Sequence, residues 1–279
     1  MSEVKRQFAG ELVAGTQVDD VFVISGKAVS QKKNGDNYLS ITLSDRTGEI
    51  RGVAWDNVAE AAAAGAVGDF VRVRGAVSEY RGACQLTVRE LSAVERASVT
   101  PADFLPTTAR NPDRMFERLQ NTVDEKIQDP DLRALFSAFW ADDAFVERFK
   151  RAPGAKKMHH AYLGGLLEHT LSMTLLVDAV AAHYRGIDME VLLSGTILHD
   201  IGKTREFDYD YRIDYSDEGK LLTHIVIGCG MLEEKIRQLP DFPPEKAMLL
   251  KHMIVSHHGS REFGSPEPPR TLEAVLLNH

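Results

Sequence analysis

The sequence predicts a multidomain α and β protein in which a small five-stranded β-barrel precedes an all-α helical bundle. Two observations support this. From about residue 18 to residue 94 the chain reads as short alternating strands separated by turns. From Asp113 onward, apolar residues recur at helical spacing. We therefore expect domains over residues 1–95 and 113–279, joined by a linker over 96–112 that contains Pro101, Pro106 and Pro112.

The order of the N-terminal elements is that of an OB-fold barrel. Predicted strands begin at Val21, Tyr38 and Ile50, an Ala-rich helix covers 58–66, and two more strands cover 70–77 and 85–89. Three strands, a short helix and two strands form the OB order. Such barrels usually bind single-stranded nucleic acid with aromatic and cationic side chains on the face of their second and third strands.

This role predicts a set of substrate-binding side chains on the barrel. The set comprises Tyr38, Trp55, Lys33 and Arg51, with Tyr80, Lys32 and Arg81 nearby. Two alternatives stay open. Trp55 closes an alternating strand and could equally be a core residue, and lysines at a hairpin tip are by default solvated.

Composition limits the functional classes. A net charge of −8 argues against indiscriminate nucleic-acid binding through a global field. The first 15 residues contain no apolar run like that of a signal peptide, and no 18-residue apolar stretch occurs, so we predict no membrane association. Cys84 and Cys229 lack CxxC spacing, which favours a cytoplasmic protein in which both are small buried residues.

The most informative motif is Ile197-Leu198-His199-Asp200-Ile201-Gly202-Lys203, at the end of an apolar segment. Imidazole and carboxylate together suit a divalent metal, and Lys203 supplies a cation for a phosphate oxygen. Further histidines occur on other apolar-periodic segments: His169, His224, His257 and His258. They can converge on one site only if those segments pack as a bundle.

Helical geometry sorts the candidates further. On an ideal helix over 157–185, His169 shares a face with Tyr162 and His160 points to the opposite side. His159 lies at about 80° from His169 and is predicted to contact a phosphate. His199 and Asp200 diverge by about 100°, so both can be ligands only if the metal lies between them. A carboxylate that bridges two ions satisfies this condition.

These motifs resemble those of a known superfamily. Gly164-Gly165-Leu-Leu-Glu-His169, His199-Asp200-Ile-Gly-Lys203, His224 and Ser256-His257-His258-Gly259 are similar to the dinuclear form of the HD-domain phosphohydrolases. The OB-like module, the Ala102-Asp-Phe-Leu-Pro106 segment and Met158-His-His-Ala-Tyr-Leu-Gly-Gly165 resemble the YhaM-type 3′-to-5′ exoribonucleases. The resemblance covers essentially the whole chain and makes the helical bundle an HD domain.

The resemblance implies a divalent-metal exonuclease, commonly with Mn²⁺, that acts on single-stranded RNA. One ion would be held by His169, His199 and Asp200 with a late Asp. Asp200 would also hold a second ion, together with His224, His257 and His258. Catalysis would then depend on Asp200 and on Lys203, which would contact the scissile phosphate. DNA cleavage and a homo-oligomeric state stay open.

Two other functions remain as alternatives. HD domains also hydrolyse free or cyclic nucleotides, although the Gly-Tyr-Pro element of the cyclic-dinucleotide phosphodiesterases is absent from the sequence. A non-enzymatic nucleic-acid-binding protein would not need the complete His-Asp set. In the superfamily a final Asp ligand lies on the last helix, but no Asp follows His258. We therefore expect a C-terminally truncated form whose first ion binds weakly, unless Glu168 or Glu273 replaces that ligand.

Overall fold

A computed structural model describes residues 4–32, 35–156 and 160–279 of the chain. The N-terminal elements form a closed barrel with the strand order β1-β2-β3-β5-β4, and β4 pairs antiparallel with β1. The elements are β1 (Gln17–Gln31), β2 (Asn37–Asp45), β3 (Gly48–Ala54), α1 (Val58–Ala63), β4 (Phe70–Tyr80) and β5 (Ala83–Val94). The predicted five-stranded OB-fold barrel is confirmed.

Side chains along β2 alternate between the interior of the barrel and its outer surface. Leu39, Ile41 and Leu43 point inward and are almost fully buried, whereas the residues between them are partly exposed. Because successive residues of a strand face opposite sides, one side of β2 lies in the core and the other faces outward. The outward side of β2 and β3 is the surface for which we predicted nucleic-acid binding.

The second part of the chain is a helical bundle. Its helices are α2 (Pro112–Lys126), α3 (Pro130–Trp140), α4 (Asp143–Arg151), α5 (Gly165–Ala181), α6 (Met189–Leu198), α7 (Lys203–Glu206), α8 (Asp217–Ile236), α9 (Pro244–Ser256) and α10 (Leu272–Asn278). A two-stranded ribbon, β6 (Phe207–Asp208) with β7 (Asp214–Tyr215), follows α7 and was not predicted. The predicted HD-type helical domain is confirmed, with this ribbon as an addition.

Two helix boundaries differ from the predicted ones. The segment 130–150 forms two helices. Asp142 lies between α3 and α4 and caps the N-terminus of α4 by accepting a hydrogen bond from the backbone N–H of Phe145. In the described part of the segment 157–185, which starts at residue 160, the helix begins at Gly165, after Gly164 adopts a φ of +80°. The helical-wheel argument therefore does not apply to residues before Gly165.

The chain divides into two compact units. One comprises Met1–Pro106 with Asp210–Arg212, and the other comprises Thr107–Tyr209 with Ile213–His279. Phe104, within the predicted linker, is buried and packs edge-on against Phe70 of β4. Among the described residues, no helix is long and apolar enough to cross a membrane. The prediction that both cysteines are buried is wrong for Cys84, which is exposed on β5; Cys229 is partly buried.

Candidate metal centre

The site begins at the C-terminal end of α6, the central helix of the bundle. From Val191 to Leu198 every residue of this helix is buried, so it has no exposed face. A helix that is apolar on all sides belongs in the interior. The chain continues from α6 into a turn. His199 and Asp200 lie in this turn and are buried inside the bundle, where they are 4% and 2% exposed.

The two carboxylate oxygens of Asp200 face two different groups of histidines. Oδ2 lies 3.2 Å from His199 Nε2 and 3.6 Å from His169 Nε2. Oδ1 lies 3.5 Å from His257 Nε2 and 3.6 Å from His224 Nε2. His258 joins the second group, since its Nε2 is 3.1 Å from that of His224. The structure thus brings together all six predicted ligand residues, and Asp200 lies between the two groups.

Hydrogen bonds from the opposite side of three imidazole rings determine which nitrogen faces the centre. His199 Nδ1 donates to the carbonyl oxygen of Thr196 at 2.7 Å, and His257 Nδ1 donates to that of Ile254 at 2.8 Å. His224 Nδ1 donates to Glu206 Oε1 at 2.9 Å. Since Nδ1 carries the proton, Nε2 presents its lone pair to the centre, as in metal-binding histidines whose other nitrogen donates to an oxygen.

Close backbone packing places His224 against the turn that contains Gly202. A Cβ atom on Gly202 would lie 1.9 Å from the carbonyl oxygen of His224 and 2.7 Å from the backbone nitrogen of Gly228. Only glycine therefore allows α8 to approach the turn so closely. Thr223 kinks α8 just before His224, with φ +60° and ψ 160°. This conformation is strained for a β-branched residue, and such strain is typical of functional sites.

Burial and neighbouring charges favour the protonation states that bind metal. Burial lowers the pKa of His169 to about 4, with a further contribution from His199, and burial lowers the pKa of His257 to about 2. The pKa of His258 is also lowered by burial. Burial by itself would raise the pKa of Asp200, but Lys203 and His199 hold that pKa well below its usual range. Neutral imidazoles around a carboxylate are the state that binds a cation.

The residues fit a divalent metal. Among the described atoms, Asp200 Oδ1 and His257 Nε2 are buried without a hydrogen-bond partner. Such groups are costly to leave unpaired unless a ligand satisfies them. Two sets of three residues each have donor atoms that lie within 4.8 Å of one another. One set is His169, His199 and Asp200, and the other is His224, His257 and His258. Imidazole with carboxylate suits borderline first-row metals.

Lys203 lies at the same centre. Its Nζ donates to Asp200 Oδ2 at 2.7 Å, and its side chain is 15% exposed. The ammonium group therefore lies at the edge of the donor cluster, where it offers a positive charge to the oxygen of a bound phosphate.

Several predicted neighbours are placed differently. His159 and Lys33 lie outside the described residues. The expectation that His160 points away from His169 is wrong, because the two ring centroids are 5.4 Å apart. Glu168 accepts hydrogen bonds from Thr108 and Tyr162, and Glu273 accepts one from the backbone of Asp188. Neither carboxylate belongs to the two donor sets found among the described residues.

The barrel carries the other predicted substrate-binding residues. Tyr38 lies at the start of β2 and Trp55 just after β3, and their ring centroids are 5.3 Å apart. Trp55 is 43% exposed, so the alternative that it belongs to the core is wrong. Arg51 is exposed on β3, and Lys32 Nζ lies 5.1 Å from the centroid of the Trp55 ring. Tyr80 is 53% exposed beside Arg81.

Sequence reasoning missed Glu206. This buried carboxylate accepts hydrogen bonds from both the backbone N–H and the Nδ1–H of His224, at 3.0 and 2.9 Å. Its only signal in the sequence was an acidic residue shortly after the His-Asp motif. That signal cannot be told from a solvated glutamate until the packing of α7 against α8 is known.

Fold and site together define a class, namely an OB-fold barrel joined to an HD domain that contains His/Asp groups able to hold a metal ion. The family described as "HD domain" matches residues 166–279, and the family described as "OB-fold nucleic acid binding domain" matches residues 20–94. The chain is 34% identical over 266 residues to the 3′-5′ exoribonuclease YhaM of Bacillus velezensis, a match of 95% of this chain and 83% of that protein. The Bacillus subtilis YhaM gives the same identity and coverage, and that of a Geobacillus species is 33% identical over 95% of this chain and 81% of its own length. The chain belongs to the YhaM exoribonuclease family.

Proposed function

We propose that this protein is a divalent-metal-dependent 3′-to-5′ exonuclease that hydrolyses phosphodiester bonds of single-stranded RNA. The observation that carries the proposal is the shared Asp200 carboxylate, whose two oxygens each face a separate group of histidines. The relatives named as 3′-5′ exoribonucleases and the OB-fold module support a nucleic-acid substrate over a free nucleotide.

The first ion would be held by His169, His199 and Asp200, and the second by Asp200 with His224, His257 and His258. Two adjacent divalent ions, with Mn²⁺ as our proposed identity, supply Lewis-acid activation of water and neutralise charge on phosphoryl oxygens. The histidines hold their Nε2 lone pairs toward the centre, and Asp200 stays ionised. Lys203 donates from Nζ to a nonbridging phosphate oxygen, which orients the scissile group and balances its charge.

The outward face of β2 and β3 would bind the single strand that the helical domain cleaves. The partly buried ring of Tyr38 and the exposed ring of Trp55 lie next to each other and offer surfaces on which bases stack, and Arg51 and Lys32 offer cations for phosphates. Because stacking rings and a few local cations would bind the strand, a protein with a net charge of −8 could still bind RNA. We also propose a cytoplasmic location, supported by two cysteines that are free thiols.

A direct test uses single-stranded RNA labelled at its 5′ end, with Mn²⁺. We expect a ladder of progressively shorter products, and immediate mononucleotide release when the label is at the 3′ end. Asp200→Ala should reduce the rate below a few per cent of wild type, whereas Asp241→Ala, at an exposed position, should not change it. Preferential hydrolysis of cyclic dinucleotides or dNTPs would contradict the RNA substrate, and a parallel single-stranded DNA sample measures the sugar preference.

A second test addresses the barrel. The double variant Tyr38→Ala, Trp55→Ala should raise KM for a long strand, since each stacked base contributes about 1–3 kcal/mol. Turnover of a dinucleotide should fall much less, because the proposal assigns strand binding to the barrel and cleavage to the helical domain. Tyr184→Ala, another exposed tyrosine, serves as the control. Equal losses on both substrates would mean that the barrel does not capture the strand.

A further inference from the structure

Two cavities adjoin the candidate metal centre, and Tyr215, Glu206 and His224 line both of them. The first, which we call the Phe263 cavity, has a volume of about 450 Å³. The second, which we call the Lys156 cavity, has a volume of about 500 Å³. Both volumes lie within the range of roughly 300–1,000 Å³ that is typical of small-molecule sites. Each cavity is therefore large enough to receive part of a nucleotide.

The two cavities differ in chemistry. The Phe263 cavity combines the exposed ring of Phe263 with Ile225 and reaches the candidate ligand His258. The Lys156 cavity contains two cations, Lys156 and Lys203. An aromatic and aliphatic wall suits a flat base, and a pair of cations suits phosphate oxygens. A nucleotide presents these two chemistries side by side.

Tyr215 lies where the two cavities meet, and the backbone fixes its position. It pairs with Phe207 across the β6–β7 ribbon, and the two rings are 5.3 Å apart with an interplanar angle of 34°. The backbone N–H of the next residue, Ser216, donates to the carbonyl oxygen of Glu206 at 2.9 Å. Glu206 in turn holds His224, so the ribbon that presents Tyr215 is tied to a candidate metal ligand.

The Tyr215 ring is available to a ligand despite these contacts. The residue is 39% exposed, and Lys156 Nζ lies 5.0 Å from the ring centroid while forming an ion pair with Asp214 at 2.6 Å. Single-stranded nucleic acids bind where an exposed aromatic ring and a cation lie close together, because a base can stack on the ring while the cation contacts a phosphate.

We propose that Tyr215 stacks on the nucleobase of the nucleotide whose phosphate lies at Lys203, with that base in the Phe263 cavity. This inference rests on the proposed function and names the substrate group that the site holds, the base of the 3′-terminal nucleotide. Stacking tolerates any base, so the subsite recognises the presence of a base rather than its identity.

The test compares two RNA oligonucleotides that differ only in the last residue, which carries a base in one and is an abasic ribose in the other. The wild type should favour the complete oligonucleotide in kcat/KM by about 5- to 150-fold, the range expected for one stacked base. Tyr215→Ala should bring this ratio close to one. Tyr215→Phe, which keeps the ring, and the control Tyr184→Ala should keep the wild-type ratio. An unchanged ratio in Tyr215→Ala overturns the inference.

A binding measurement separates this inference from the proposed function. Adenosine 5′-monophosphate and ribose 5-phosphate are titrated calorimetrically into the Mn²⁺-loaded protein. The wild type should bind the first more tightly than the second, and Tyr215→Ala should lose that difference. If RNA is not cleaved but this Tyr215-dependent difference is observed, the exonuclease proposal fails and the base subsite stands. Equal affinities in the wild type, or no binding of adenosine 5′-monophosphate, overturn the subsite.

Discussion

Glu206 should determine how tightly the second group of histidines binds metal. In the structure a single oxygen, Oε1, accepts two hydrogen bonds from His224, one from the backbone and one from Nδ1. These bonds fix both the position and the orientation of the ring. Replacing Glu206 by Gln keeps the size of the side chain but removes its charge, so the imidazole becomes a weaker base and its orientation is less well fixed.

The expected magnitude follows from the role of such a carboxylate behind a metal-binding histidine. Loss of this kind of partner typically costs about 10- to 100-fold in metal affinity or activity, or about 1.4–2.8 kcal/mol. Glu206→Ala should be more damaging, because both His224 donors lose their acceptor in a buried place. Each unsatisfied donor costs about 1–3 kcal/mol, so unfolding of this variant should also occur at a lower temperature.

The assay is calorimetric titration of Mn²⁺ into the metal-free protein, together with the Mn²⁺ concentration that gives half-maximal RNA cleavage. Glu206→Gln should shift both to higher Mn²⁺ concentration while the melting temperature of the metal-free protein changes little. Glu234→Gln is the control, since the Glu234 side chain is 63% exposed and lies 3.9 Å from Arg205. Wild-type Mn²⁺ dependence in Glu206→Gln would refute the argument that this carboxylate tunes His224.

Three further predictions concern the packing of Gly202, the charge of Asp142 and the effect of metal. Gly202→Ala should destabilise the protein by about 1–3 kcal/mol or more and impair cleavage, because the new Cβ would meet the His224 backbone. Gly230→Ala is the control: apart from its own helix backbone and chain neighbours, no described atom lies within 4 Å of its Cβ position, so it should be neutral or slightly stabilising. Equal losses of the two variants in chemical denaturation would contradict the steric account. The hydrogen bond from Lys235 and that from the Phe145 backbone lower the pKa of Asp142. The ionised Asp142 carboxylate therefore stabilises the folded state at pH values above its ordinary pKa of 3.8. This stabilisation is lost as the pH falls through the lowered pKa of the folded state. Asp142→Asn, which keeps a capping oxygen, should cost at most about 1 kcal/mol at pH 7 and nothing at the acid end, and a pH-independent difference in unfolding free energy would disprove the charge argument. Removing metal with EDTA should abolish cleavage and lower the melting temperature, and adding Mn²⁺ should restore both. An identical melting curve with and without Mn²⁺ would contradict a metal-binding centre.

The barrel and the types of candidate ligand could be predicted from local pattern. Alternation in Tyr38–Leu43 identified the strand and its buried side, because strand burial has a period of two residues that is written in consecutive positions. The His199-Asp200 pair and the other histidines could be selected because metals require particular donor atoms, which residue identity alone supplies.

Tertiary packing decided the rest. Which oxygen of Asp200 faces which histidine depends on how α5, α6, α8 and α9 pack, and no spacing along the chain encodes those distances. Glu206 and Tyr215 reach their positions because the turn at Gly202 packs closely against α8 and the chain then folds back as a ribbon. The physical reason is that periodic burial is a property of neighbouring residues, whereas a site joins residues that lie tens of positions apart through the packing of whole helices.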